Sequence, residues 1–278
     1  GRLAPIAGST VDAPVAVVLD YPSGWAQQAP SQPSAALDTF AEIRRWHAAL
    51  WRAGVTADVV HPAARLSGYR AVFVPSLYLV DDGAAANLAS YARAGGTLVI
   101  GPYSGVVDEH DHVRLGGYPG AFGDLLGIRV EEFCPLPDGE AVQLTDGSRA
   151  HTWTERGRSE GADVVAAFQD GPAAGDPAVT RHGTAWYVAT RLADASLDRL
   201  LRTVLATAGV GATVPGTPTG IEAVRRRAAD GSTYLFLFNH GDGPASVPAT
   251  GTDLLTGTAW PAPAGLPAGG VAVIEEAT

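Results

Sequence analysis

The chain is 278 residues long, 46% hydrophobic and 17% charged, which excludes a disordered tail and leaves room for two domains with real cores. Nineteen cations against 29 anions give a net charge of −10, so neither the phosphate backbone of a nucleic acid nor an anionic membrane surface is an expected partner. No run of about 18 apolar residues is available to span a bilayer, and a single cysteine, Cys134, rules out an internal disulfide framework and a multi-cysteine zinc site. That cysteine usage suits a reducing compartment, and the expected location is cytoplasmic. All the cations are Arg, and the chain has neither Lys nor Met. It begins Gly1-Arg2-Leu3-Ala4-Pro5 with no signal-sequence pattern, so the expectation is a piece cut from the interior of a longer protein.

Val15-Ala-Val-Val-Leu19 reads as a buried strand, followed by a Pro-, Ser- and Gln-rich loop from Tyr21 to Ser34. A helix is predicted over Ala36 to Ala53, closed by Gly54. Thr56–Val60 and Ala71–Val74 are strand candidates. Asp81 and Asp82 favour a helix N-terminus before Ala84 to Ala94, and Thr97–Ile100 is the next buried strand. Strands alternating with helices predict a doubly wound, mostly parallel sheet. Beyond residue 119 the pattern loosens. Pro119 to Leu126 reads as a short helix, and Ala141–Leu144, Ala162–Phe168 and Thr184–Thr190 as strands. Leu197 to Ala208 is an amphipathic helix stopped by Gly209. Gly211 to Gly220 has linker composition. After it the period changes to two, through Glu222–Arg227, a turn at Asp230-Gly231, Tyr234–Phe238 and Gly270–Ile274, as in a small all-β module.

The densest polar cluster is Asp108-Glu109-His110-Asp111-His112, followed by Arg114 and Gly116-Gly117-Tyr118. Glycosidase carboxylates face each other across a sugar, whereas adjacent Asp108 and Glu109 would point to opposite faces of a strand. His110 and His112 would share a strand face as metal ligands, but no third ligand is marked. The remaining reading is an ordered loop whose charges pair with each other or with another subunit. Doubly wound domains of the amidotransferase type carry a Cys nucleophile on a tight turn after a strand. Here Gly101-Pro-Tyr-Ser-Gly105 follows Thr97–Ile100, so Tyr103 would stand where that Cys belongs. Cys134 lies away from any such turn, and Ser104 is one position off the centre of G-x-S-x-G. No phosphate loop or dinucleotide fingerprint occurs, and the scattered Trp residues suit core or interface packing. No cofactor, metal or catalytic residue is assigned.

Tyr91-Ala-Arg-Ala-Gly-Gly-Thr-Leu-Val, the whole of Ser104 to Gly120, and Leu125-Leu-Gly-Ile-Arg-Val-Glu-Glu-Phe133 resemble the middle domain of glycoside hydrolase family 42 β-galactosidases. His61-Pro, Leu66-Ser-Gly-Tyr-Arg, Val74 to Asp82 and the terminal Leu266 to Glu276 match the same family. The stretch from about Pro137 to Pro177 matches least. The resemblance implies a class I glutamine amidotransferase-like (flavodoxin-like) trimerisation domain over 12–212 and a small C-terminal β domain over 218–278. It also implies a (β/α)8 barrel elsewhere, whose two glutamates hydrolyse terminal β-D-galactosyl linkages with retention. The catalytic glutamates then lie outside this chain, which is not catalytic by itself and has itself (as a homotrimer) and the barrel as partners. Galactoside is met only through that barrel. The alternatives are a carbohydrate-binding module and a stand-alone amidotransferase-like protein. Candidate subunit or barrel contacts are Tyr103, Asp108, Glu109, Arg114 and Tyr118.

Overall fold

A computed structural model describes residues 1–277, which fall into two compact units. The larger takes in 15–49 and 58–208; the smaller gathers 1–14, 50–57 and the chain from 209 onward. Strand β1 (Thr10–Val11) belongs to the smaller unit.

The larger unit is built on a seven-stranded sheet. Its first strands are β2 (Val15–Val18), β3 (Ala57–Val60), β4 (Ala71–Val74) and β5 (Thr97–Ile100). β2, β4 and β5 are β-branched apolar runs buried at every position, as strands covered on both faces must be. Helices α1 (Tyr21–Gln27), α2 (Thr39–Arg52) and α3 (Asp82–Arg93) connect them. α2 turns Ile43, Trp46 and Ala49 inward, and Trp46 meets Phe73 of β4 edge-on at 6.3 Å. α3 starts where the carboxylate of Asp81 accepts the Ala84 N–H at 2.8 Å, an N-cap bond. A short α4 (Gly123–Leu126) leads to β6 (Ile128–Pro135), β7 (Ala141–Gln143), β8 (Arg149–Ser159) and β9 (Asp163–Ala167). β10 (Pro177–His182), β11 (Ala185–Val188), β12 (Thr190–Leu192) and α5 (Asp194–Thr207) complete the unit. Sheet order is β3-β2-β4-β5-β11-β10-β9, with the β2–β4, β4–β5 and β5–β11 pairs parallel and the last two antiparallel.

Two features depart from the sequence expectations. The segment expected as loop from Tyr21 opens with α1. Asp20 caps it by accepting the Ser23 N–H at 2.9 Å, and Pro22 sits in the first turn, where no N–H is missed. Gly24 lets α1 lie against Phe40, since a Cβ there would meet that ring at 2.5 Å. The second departure is a separate sheet, β12-β8-β6, with β7 on β8. Eleven-residue β8 changes partner midway, from Trp153↔Pro135 to His151↔Ala141, and Thr152 between them takes φ +73°. A strand that switches neighbours and is buried on both faces at Trp153, Thr154 and Glu155 loses the alternation that would mark it in sequence.

The smaller unit is a six-stranded antiparallel sheet. Its remaining strands are β13 (Ile221–Arg227), β14 (Thr233–Asn239), β15 (Ala245–Val247), β16 (Gly251–Asp253), β17 (Thr258–Trp260), β18 (Ala264–Leu266) and β19 (Val271–Glu276). The order is β1-β13-β14-β19-β16-β17, with β15 and β18 paired apart. β13 and β14 form the expected hairpin, in register from Ile221↔Asn239 to Arg227↔Thr233. Leu235, Leu237, Val247, Leu266 and Ile274 make its core. The Arg225 guanidinium forks onto Glu276 at 2.6 and 2.7 Å.

Candidate functional site

The carboxyl ends of the parallel strands are where open α/β sheets place their binding loops. At the end of β5 the chain turns sharply. Gly101 passes so close to β4's exit that a Cβ would lie 2.1 Å from the Pro75 carbonyl oxygen. Two residues on, Tyr103 takes φ +58°, a left-handed conformation that a bulky side chain adopts only when its surroundings enforce it. The enforcing group is Glu155 of β8. Its fully buried carboxyl accepts the Tyr103 N–H at 2.8 Å, the Trp153 Nε1–H at 2.9 Å and the Tyr187 hydroxyl. Burial pushes the Glu155 carboxyl above its ordinary value, and the three donors oppose that shift. Ser104 is equally buried, its Oγ accepting the Leu77 N–H at 3.0 Å.

The Tyr103 side chain fills this turn rather than lining an open crevice. Only 4% of it is exposed. It stacks on Tyr78 at 4.9 Å, meets Phe133 edge-on at 4.8 Å and tilts against Trp153 at 4.7 Å, while its hydroxyl donates to Gln32 Oε1. Burial raises the phenol well above its ordinary value, so it stays neutral. Cys134 on β6 is half-buried and burial pushes its thiol up, the reverse of what a thiolate nucleophile needs. Among the described residues no group of three or more His, Cys, Asp and Glu side chains converges to hold a metal.

From Tyr103 the loop is locked onto the sheet edge by backbone bonds. Gly105 N–H reaches Leu77 O at 2.7 Å, Leu79 bridges to Val107, Val107 to Val113, and Tyr118 to Val130. Asp108 closes its end, one carboxylate oxygen accepting the N–H groups of His110 and His112 at 2.9 Å each. The bond from the His112 N–H, more than that from His110, holds this carboxyl below its ordinary range. Glu109 is exposed, with the His110 ring 3.9 Å away, and the His110 and His112 rings stand 5.8 Å apart. Arg114 folds back, donating to Asp82 at 2.8 Å and to the Val80 carbonyl at 2.7 Å, while its Nε is buried without a partner. Tyr118 is half-buried against Phe133 at 4.5 Å.

Of the five predicted contact residues, then, Tyr103 anchors the loop from inside and Arg114 and Tyr118 brace it, while Asp108 holds the turn before Val113 and Glu109 is exposed within that turn. Two residues that the sequence did not single out project from it: Leu115, 95% exposed, and Val113, 54% exposed. Glu155 was likewise not anticipated. Its only signal is a carboxylate two residues from Trp153, which puts both on one strand face.

Residues 13–211 match the family model of the β-galactosidase trimerisation domain, and residues 220–276 match that of the β-galactosidase C-terminal domain. A β-galactosidase of Arthrobacter sp. is 44% identical over 278 residues, covering 99% of this chain and 40% of the relative. One from Heyndrickxia coagulans is 35% identical over 259 residues, covering 90% of this chain and 38% of the relative. Among solved structures, the β-galactosidase of Bacillus circulans sp. alkalophilus superposes with a TM-score of 0.94 at 30% identity, covering 99% of this chain and 43% of that one. That of Rahnella sp. R3 gives 0.87 at 30% identity, covering 98% and 42%. The chain thus spans about two fifths of the length of the curated relatives it matches. It belongs to the glycoside hydrolase family 42 β-galactosidases, of which it carries the trimerisation and C-terminal domains.

Proposed function

We propose that this chain is the assembly portion of a β-galactosidase. It associates with itself as a homotrimer and supports a (β/α)8 barrel, outside the chain, that hydrolyses terminal β-D-galactosyl linkages. The larger unit is read as a class I glutamine amidotransferase-like, flavodoxin-like domain over 12–212, and the smaller as a β domain over 218–278. In this reading Asp108, Glu109, Arg114 and Tyr118 form the contact loop, and Tyr103 sets its exit direction. The single half-buried thiol suits a cytoplasmic setting, and no helix among the described residues is long and apolar enough to cross a membrane.

The observation that carries this reading is the match of residues 13–211 to the β-galactosidase trimerisation domain, and Tyr103 agrees with it. A strand-to-turn position with left-handed backbone, at the carboxyl edge of a parallel sheet, is where such folds hold a nucleophile. Here it holds an aromatic plug bonded to a buried carboxyl. That also counts against a stand-alone amidotransferase-like enzyme. A carbohydrate-binding module on the β domain is disfavoured because Trp260, its main platform, packs on that domain's core with its Nε1 buried. The purified chain is expected to hydrolyse a chromogenic β-galactoside no faster than buffer, because in this reading the acid and nucleophile glutamates belong to the barrel outside it. Turnover that disappears in Asp108→Ala or Glu109→Ala would overturn this.

A further inference from the structure

A ring of three identical chains cannot be closed by one patch meeting its own copy. Each copy must present two different, complementary patches, joined head to tail. The larger unit carries two exposed apolar features on one edge of its sheet. One is the loop tip with Val113 and Leu115, which leaves β5. The other is the ridge of α1, which leaves β2: Trp25 is 65% and Tyr21 56% exposed, with ring centroids 5.9 Å apart, and Tyr21 continues onto Phe40 at 5.7 Å. β2 and β5 run parallel with only β4 between them, so the two features rise from strand ends about 10 Å apart.

Both patches are held rigidly. The Ser23 hydroxyl accepts the Leu79 N–H at 3.2 Å, Gln27 accepts the Ser76 hydroxyl at 2.9 Å and donates to the Leu37 carbonyl at 2.8 Å. The loop is pinned by its backbone bridges, so little ordering remains to oppose association. One patch is a shallow aromatic ridge of the kind enriched at interface hot spots, and the other an aliphatic protrusion.

We propose that the Val113–Leu115 tip of one copy seats on the Tyr21–Trp25 ridge of the next, so that the carboxyl edges of three sheets gather around the threefold axis. This rests on the homotrimer proposed above, and it names the two halves of the contact.

The test uses the whole chain and two variants, Trp25→Asp and Leu115→Asp, weighed in solution alone and mixed. Each substitution is expected to weaken association about thirtyfold or more, the effect of losing a central anchor. Alone, each variant is then a folded monomer by mass and circular dichroism. Mixed, they recover one intact contact, the tip of Trp25→Asp on the ridge of Leu115→Asp, and stop at a dimer because the outer patches are dead. Variants that assemble like the wild type, or a mixture that stays monomeric, would overturn the pairing while leaving a wild-type trimer standing. A monomeric wild type would overturn the homotrimer and the pairing together.

Discussion

Replacing Glu155 by Ala is expected to destabilise the larger unit by about 3–5 kcal/mol. The substitution strands three buried donors at once: the Tyr103 N–H, the Trp153 indole N–H and the Tyr187 hydroxyl. Each buried group left without a partner costs about 1–3 kcal/mol, and the left-handed turn at Tyr103 loses the acceptor that holds it. Urea unfolding followed by Trp fluorescence measures the loss; a change under about 1 kcal/mol would show the carboxyl to be dispensable. Glu155→Gln keeps an acceptor oxygen for Tyr103 and Trp153, so it should retain most of the stability. The same variant tests the ionisation. Because burial raises the folded-state value above the ordinary 4.5, the native state binds this proton more tightly than the unfolded chain. Stability is therefore greatest below that ordinary value and falls as pH rises through the raised one. In Glu155→Gln that fall should be absent.

The second large effect is expected at Glu42 of α2. Its carboxylate is 2% exposed and takes the Arg45 guanidinium on one oxygen at 2.5 Å and that of Arg191 on the other at 2.6 Å. Arg45 continues to Asp194 at 2.9 Å and to the Leu192 carbonyl at 2.5 Å, and Arg191 reaches the His151 ring at 2.7 Å. Burial, then the Arg191 charge, holds that imidazole below its ordinary value, so it receives the guanidinium as a neutral ring. Glu42→Ala leaves two largely buried cations facing each other without their shared anion. Breaking such a group by removing one partner costs about 3–5 kcal/mol, and the urea midpoint should fall accordingly. If Glu42→Ala unfolds at the wild-type midpoint, the network contributes only packing.

Much of the parallel sheet was legible because its chemistry is local. Val15–Val18, Ala71–Val74 and Thr97–Ile100 are short β-branched runs punctuated by Gly and Asp, and they appear as strands where the pattern puts them. α1 was hidden because Pro22 and Gly24 read as breakers, although Pro suits a first turn and Gly24 serves the approach of Phe40. β6 and β8 were hidden because they pair with each other across the intervening β7, and β8 exchanges β6 for β7 at Thr152. The site divides in the same way. A Gly- and charge-rich loop after a buried strand is visible in sequence, and so is the oddity of Tyr103 at the turn. Which side of the turn the Tyr103 ring takes depends on Tyr78, Phe133 and Trp153, residues 25 to 50 positions away. The exposure of Leu115 and Trp25 follows from the same tertiary arrangement, since an apolar residue reads alike in a core and at an interface.

The mass of the wild-type chain in solution decides whether it assembles as a trimer. Sedimentation equilibrium at micromolar concentration should give three times the 28.5 kDa of one chain, with no fit improved by a monomer–dimer scheme. A single species of 28.5 kDa across that range would contradict the assembly role assigned to the chain and leave the Tyr21–Trp25 ridge and the Leu115 tip as bare surface.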